Sequence, residues 1–338
     1  MWHVVATRPM RMATKHHARL LATRARPPRV GRASIRKGES QIIEAWAEAK
    51  NKKLGEKAAT NLCDSTLKSL PSLNKQQLPT LVSAVSNSNV GCGPPWDGVW
   101  RGMAEAAVPL LGKVSGSGLT TIAHEYATVG YRPRGLFDGI ANAATPRIAD
   151  GAFSPFEVAS IAHAFAFTAH PAPELHQAAC TWSASRLDDY KPIEIGTLAW
   201  ASAAADVPSP DLFASDAFAD RMALLGDDKK LGDAALSMLH QWVLWCDERG
   251  FSAEDALPLP DPLKARCRAA FGRGHPRPSL LQMEVAAAFE RIGEDVTIEH
   301  EVELPESGYQ IDLVVTYDGL KVAVEVDGPS HFLGDSEQ

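Results

Sequence analysis

The chain has 338 residues, 45% of them hydrophobic and 22% charged, which is ordinary for a globular protein and long enough for two domains. No apolar run approaches the roughly eighteen residues that a membrane span needs, and five widely spaced cysteines without a C-x-x-C pair argue against a disulfide framework or a zinc site. The charge is uneven: residues 1–38 hold ten Lys/Arg and no acid, so the remainder carries 24 basic against 41 acidic residues, a formal −17. That balance is the reverse of the basic footprint usual in nucleic-acid-binding proteins.

Residues 1–38, arginine-rich, acid-free and with short apolar stretches such as Ala18–Ala22, have the features of an organellar transit peptide. Serine is scarce there (Ser34 alone), which points to the mitochondrial matrix, with the plastid as the alternative. A basic arm that itself touches nucleic acid is the competing reading.

Residues 39–260 are alanine-rich and helical in pattern, and they repeat. The segment from Phe153 to Ala166 matches the segment from Tyr190 to Ala203 at an offset of 37 residues. Each shows an aromatic residue, a Pro two positions on, a Glu and then an apolar helix. Pro and Glu in a first turn suit a helix N-terminus, where the N–H is free anyway and the dipole favours negative charge. Weaker copies place equivalent apolar residues at Ile43, Leu81, Ile122, Ile161, Leu198 and Leu239, a period of 37–41 residues. Each copy carries a second helix, around Leu136-Phe137, Leu175-His176 and Leu212-Phe213. A helical pair of this length cannot bury its apolar face alone, so the expected fold is mostly α: an α-solenoid of stacked pairs. Ser86–Trp100 reads as a loop insertion whose Trp96 and Trp100, at i and i+4, suit a helix face packing inward.

Residues 261–278 read as a linker. They concentrate Lys264, Arg266, Arg268, Arg273 and Arg277 against one acid, a candidate phosphate-contacting strip. From 279 to 338 the pattern changes. Ser279 opens an amphipathic helix to Ile292, and strands are expected at Val296–Glu303, Ile311–Tyr317 and Lys321–Val326. Asp318-Gly319 between the last two is a hairpin signal, because both central residues of a tight primed turn need φ > 0. A turn there sets Asp312 opposite Glu325. Like charges directly opposite are destabilising, so something has to offset them: a metal, a partner's donors or nearby cations.

Val-Glu-Val-Asp-Gly-Pro-Ser-His-Phe, ending at Phe332, behind Ile-Asp-Leu-Val-Val, resembles the core of the RAP domain of organellar RNA-metabolism proteins. That domain is similar to the PD-(D/E)XK nuclease superfamily, and the resemblance covers roughly Leu280–Phe332. It implies a small αβββ domain of restriction-endonuclease-like fold. The preceding repeats resemble octotricopeptide and FAST-kinase-like arrays, although no Gly-rich loop, H-R-D or D-F-G of a kinase is present. In the nuclease arrangement a helix acid, here Glu284, stands near Asp312 and Glu325, and such carboxylates hold Mg²⁺; Asp312 and Glu325 are the candidate metal ligands. His331 beside Asp327 is a candidate acid/base or phosphate donor. The family pattern needs a lysine two residues after its second acid, where this chain has Asp327, and it continues past His-Phe with a helix and a strand, where this chain stops at Gln338.

The resemblance thus implies an RNA-binding protein acting in organellar RNA processing, stability or translation. Single-stranded RNA is its expected partner, other RNA-processing proteins join it, no membrane is involved, and no cofactor is needed. Two other readings stay open: a protein–protein scaffold, which the −17 charge favours, and a Mg²⁺-dependent endoribonuclease. A basic or neutral polar face on the array fits RNA, and an acidic one fits a protein.

Overall fold

The computed structural model describes residues 41–50, 54–88, 90–226, 231–273, 278–293 and 295–326. The leader 1–38, Arg277, Asp327 and His331 lie outside the described residues.

The described chain is mostly helical. In order the helices are α1 (Gln41–Ala49), α2 (Glu56–Ser69), α3 (Gln77–Ser86), α4 (Asp97–Ala107), α5 (Gly116–Thr128), α6 (Arg134–Ala149) and α7 (Pro155–Phe167). They continue with α8 (Pro173–Ala184), α9 (Pro192–Ala205), α10 (Pro210–Phe213), α11 (Asp216–Gly226), α12 (Asp233–Arg249), α13 (Asp261–Gly272) and α14 (Leu280–Glu290). The starts of α7 and α9 show why the sequence breaks where it does. Ser154 accepts from the Glu157 N–H while Glu157 accepts from the Ser154 N–H at 2.8 Å, a closed capping box with Pro155 at the first position. One period later the Lys191 N–H donates to Glu194 Oε2 at 2.9 Å, with Pro192 in the same place.

Helices pack on their second neighbours. The first helices of the copies form one row, α1–α3–α5–α7–α9–α12, and the second helices form another, α2–α4–α6–α8–α10. The six apolar positions picked out by the repeat are the seams of the first row: Ile43, Leu81, Ile122, Ile161, Leu198 and Leu239 are each at most 6% exposed. Removing a Leu or Ile side chain of this kind from water is worth about 1.5–3 kcal/mol. A single apolar core runs without interruption from Ile42 to Ala270. Between α9 and α12 the approach is so close that a Cβ on Gly196 would stand 3.0 Å from the Ala235 carbonyl oxygen. A mid-helix glycine costs about 1 kcal/mol in propensity, and the tight contact is what it permits.

Trp100 is fully buried and donates through Nε1 to the Gly91 carbonyl, and Trp96 packs edge-on against Trp46, so both tryptophans serve the core. The second helix of the last copy is broken: α10 is a single turn, and α11 follows after Ala214-Ser215. The stretch 261–278 differs from the expected linker. Most of it is α13, whose Leu263, Cys267 and Ala270 are buried in the array core at helical spacing. The array therefore extends to Gly272.

The C-terminal unit has the expected order, one helix and then three strands: β1 (Thr297–Glu303), β2 (Gln310–Tyr317) and β3 (Leu320–Val324), antiparallel in the order β1-β2-β3. Ser279 caps α14 in a box with Gln282. Asp318 and Gly319 have φ of 48° and 74°, as a primed turn requires. The register pairs Leu313 with Val324 and Thr316 with Lys321, which sets Asp312 level with Glu325. The core of this unit is small: Ala286, Leu313 and Val315 are buried, with Val285, Phe289 and Ile298 among the partly buried residues around them.

The unit meets the array through the β1–β2 loop. His240 of α12 contacts the Ser307 carbonyl through Nε2 at 2.7 Å, and Arg268 of α13 donates to Glu303 Oε1 at 3.0 Å and to the Pro305 carbonyl at 2.9 Å. The Phe271 ring lies between His240 and Tyr309, at 5.0 and 5.2 Å. Burial pushes the Tyr309 hydroxyl up to about 12 and the His240 imidazole below its usual value. His240 Nε2 is therefore the proton-bearing donor of a neutral ring.

Candidate nucleic-acid interface

Three sets of residues are candidates for contact with a nucleic acid. The first is the basic strip, which lies on α13 and is turned largely onto the protein. Arg266 donates to the carbonyls of Leu225, at 3.3 Å, and Gly226, and Arg268 is held by the β1–β2 loop. Arg273 pairs with Asp233 at 2.8 Å, and Lys264 stands 4.0 Å from Asp247. Lys264 and Arg273 stay half-exposed, whereas the other two connect one element to the next. Other arginines of the array do the same. Arg132 donates to the Ala169 carbonyl at 2.9 Å, Arg147 to that of Val114 at 2.7 Å and Arg221 to that of Tyr190 at 3.0 Å, each crossing to a neighbouring copy. Carbonyls at helix ends carry partial negative charge and lack helical partners, so a guanidinium suits them.

The second set is the acids. Asp312 Oδ1 accepts from Gln282 Nε2 at 2.5 Å, and Oδ2 accepts from the Val326 N–H at 2.7 Å, just beyond the end of β3. Gln282 also reaches Glu301 Oε1 at 3.3 Å. Two N–H donors thus supply the offset that the acidic pairing requires, and they tie α14 to the end of the sheet. The helix residue that meets Asp312 is Gln282, which is buried. Glu284, two positions on and hence about 200° around the helix, is exposed. Lys321 bonds Glu299 at 3.0 Å. Among the described residues no group of three or more His, Cys, Asp or Glu side chains could hold a metal. With both its oxygens engaged by N–H donors, Asp312 forms a hydrogen-bonded clasp between α14 and the end of the sheet. Gln282 is legible in the sequence as the partner of Ser279 in the capping box that opens α14.

The third set lies along the first-helix row. Its helices α3, α5, α7 and α9 contain no Lys or Arg, and their acids are Glu125 and Glu194, both buried, and the capping Glu157. Apart from the half-exposed Glu157, the surface they leave open is uncharged and repeats. One residue before each apolar seam stand Thr80, Thr121, Ser160 and Thr197. Two residues after the seam stand Ser83, His124, His163, Trp200 and Gln241. The second column closes towards the C-terminus: His163 lies 4.9 Å from the Trp200 ring, and Trp200 Nε1 donates to Gln241 Oε1 at 3.0 Å. Towards the N-terminus it opens. His124 and Ser83 are half-buried, and Ser83 donates to Glu125 Oε1 at 3.1 Å. Burial lowers the His124 pKa, so the ring is neutral at pH 7. These columns are legible once the seams are known, since each is a fixed offset from one.

The second-helix row is different. Its open groove of about 530 Å³ between α6 and α8 is lined by Asp138, Asn142, Thr145 and Glu174. That lining suits a cationic partner better than a phosphate.

No protein-family model matches the chain, and no curated protein matches it significantly. No helix among the described residues is long and apolar enough to cross a membrane.

Proposed function

We propose that the chain is a helical-repeat nucleic-acid-binding protein: an α-solenoid that holds single-stranded RNA along its first-helix row, followed by a RAP domain of restriction-endonuclease-like fold. More particularly, it is an organellar RNA-binding factor that acts in RNA processing, stability or translation without cleaving RNA. The observation that supports this reading is the uncharged row of hydroxyl, imidazole and aromatic side chains recurring at the repeat period on α3, α5, α7 and α9. Helical-repeat proteins read RNA with side chains set one repeat apart, and a neutral polar face does not repel the strand as an acidic one would. Immunoprecipitation after crosslinking in isolated organelles tests it. Recovery of discrete RNAs is expected, and recovery of proteins without RNA would contradict it.

That second outcome belongs to the scaffold reading, which the formal −17 charge and the acidic groove between α6 and α8 favour. For location, the ten cations of residues 1–38 support import into the mitochondrial matrix, with the plastid as the alternative. A fusion of Met1–Gly38 to a reporter should enter mitochondria; a diffuse cytosolic signal would count against it.

A further inference from the structure

We infer that the first-helix row takes its partner through neutral hydrogen-bond donors, a 2′-hydroxyl or a base amino group of a nucleotide, and not through phosphate charge. This rests on the RNA-binding reading above and adds the chemistry of the contact.

The argument starts from the position of protons. A Thr hydroxyl has one proton and two lone pairs. In three of the four positions of the column before the seams the proton is committed to the helix itself. Thr80 donates to the Gln76 carbonyl at 3.1 Å, Thr121 to that of Ser117 at 2.8 Å and Thr197 to that of Ile193 at 2.8 Å. Thr80 is exposed, and Thr121 and Thr197 are half-exposed. Each therefore offers solvent an acceptor and no donor. Ser160 supplies a fourth hydroxyl in the same column.

The three threonines of this column, held as acceptors, select their ligand. A phosphate oxygen is itself acceptor-only and cannot bond to a threonine held in this way, and α3, α5, α7 and α9 carry no cation to hold a phosphate by charge. A ribose 2′-hydroxyl can donate, and it is the group that distinguishes RNA from DNA. The amino groups of adenine, cytosine and guanine can donate too, while uracil has none. Packed helices lie about 8–10 Å apart, so a strand laid across the row meets these acceptors at a regular interval. Hydroxyls that merely satisfied their own helices would serve equally well facing any direction. Here they share one column, on α3, α5, α7 and α9, which carry no Lys or Arg within their bounds.

The test is the affinity of the full chain for short labelled homopolymers: oligo(rA), oligo(rU), oligo(dA) and 2′-O-methyl oligo(A), each across a salt series. The variant combines Thr80→Val, Thr121→Val and Thr197→Val, which keep the volume and remove the acceptor; Thr→Ser at the same positions restores it. The expected result is a loss of about tenfold or more for oligo(rA), since three neutral hydrogen bonds are removed. The loss should be the same at every salt concentration, giving parallel lines, because no counterion is released by an uncharged contact. The Ser variant should bind like the parent. Weak oligo(dA) and 2′-O-methyl binding would identify the 2′-hydroxyl as the donor; weak oligo(rU) binding alone would identify the base amino group. Val and parent proteins that bind oligo(rA) equally would overturn the inference and leave the RNA-binding reading intact. Failure of every strand to bind would remove both.

Discussion

The helical array and the C-terminal unit bury their apolar residues in opposite ways. The array has one continuous core from Ile42 to Ala270, with Trp46, Trp100, Trp200 and Trp242 inside it. The unit closes on Ala286, Leu313 and Val315, and it leaves Leu280, Met283, Ile292, Leu320 and Val322 more than half exposed. An array shares each seam between neighbouring copies, so its core grows with every repeat. A three-stranded sheet under one short helix has one face to bury and little to bury it with. Much of what orders the unit therefore lies outside its own core, in the polar clasp of Gln282 on Asp312 and in the β1–β2 loop seated on α12 and α13.

The largest effect expected from breaking this contrast is in the array. Trp200→Ala removes a buried ring and leaves Gln241 Oε1 without its donor, and it should cost about 3–5 kcal/mol. Denaturant melts should show the loss across the array, and hydrogen exchange should speed up in copies on both sides of α9. The corresponding change in the unit, Leu313→Ala, should raise exchange in β1–β3 while the array's midpoint stays fixed.

Next in size is an acid sensitivity confined to the array. His176 is buried, neither ring nitrogen has a partner, and burial lowers its pKa from 6.5 to about 4. It stands where neighbouring copies have Phe137 and Phe213. The unfolded chain takes up this proton first as pH falls. The stability tied to His176 is thus fully present above about pH 6.5 and is lost between there and about pH 4, by about 3 kcal/mol. His176→Phe should hold its stability over that window, and an acid transition of unchanged depth would refute the assignment.

A smaller effect is expected at the junction. Arg268→Ala removes the bonds to Glu303 and the Pro305 carbonyl. It should free residues 304–309 to exchange and to proteolysis, at a cost of about 1–3 kcal/mol to docking, while the array melts as before. The smallest concerns Asp312. Because its oxygens accept two N–H bonds, Asp312→Asn weakens charge-assisted bonds and should destabilise the unit by about 1–2 kcal/mol. A gain in stability would mean that repulsion from Glu325 dominates instead.

Features set by local rules were readable in the sequence. The six seams, the Pro-Glu helix starts, the Asp-Gly turn and the register that sets Asp312 level with Glu325 all follow from periodicity, capping and turn chemistry. What was not readable depends on neighbours distant in sequence. The spacing of Leu263, Cys267 and Ala270 marks a helix, yet four cations around them made the stretch read as linker. Their destinations, the Gly226 carbonyl, Glu303 and Asp233, are fixed only by packing. The hydroxyl column is set one residue before the seams and so becomes legible only once the seams are fixed.

The claim that RNA lies along the first-helix row is tested most directly by photo-crosslinking the purified chain to thiouridine-containing RNA and mapping the modified peptides. The account predicts crosslinks within Gln77–Ser86, Gly116–Thr128 and Pro155–Phe167, on α3, α5 and α7. Crosslinks confined to the second-helix row or to α13 would contradict it.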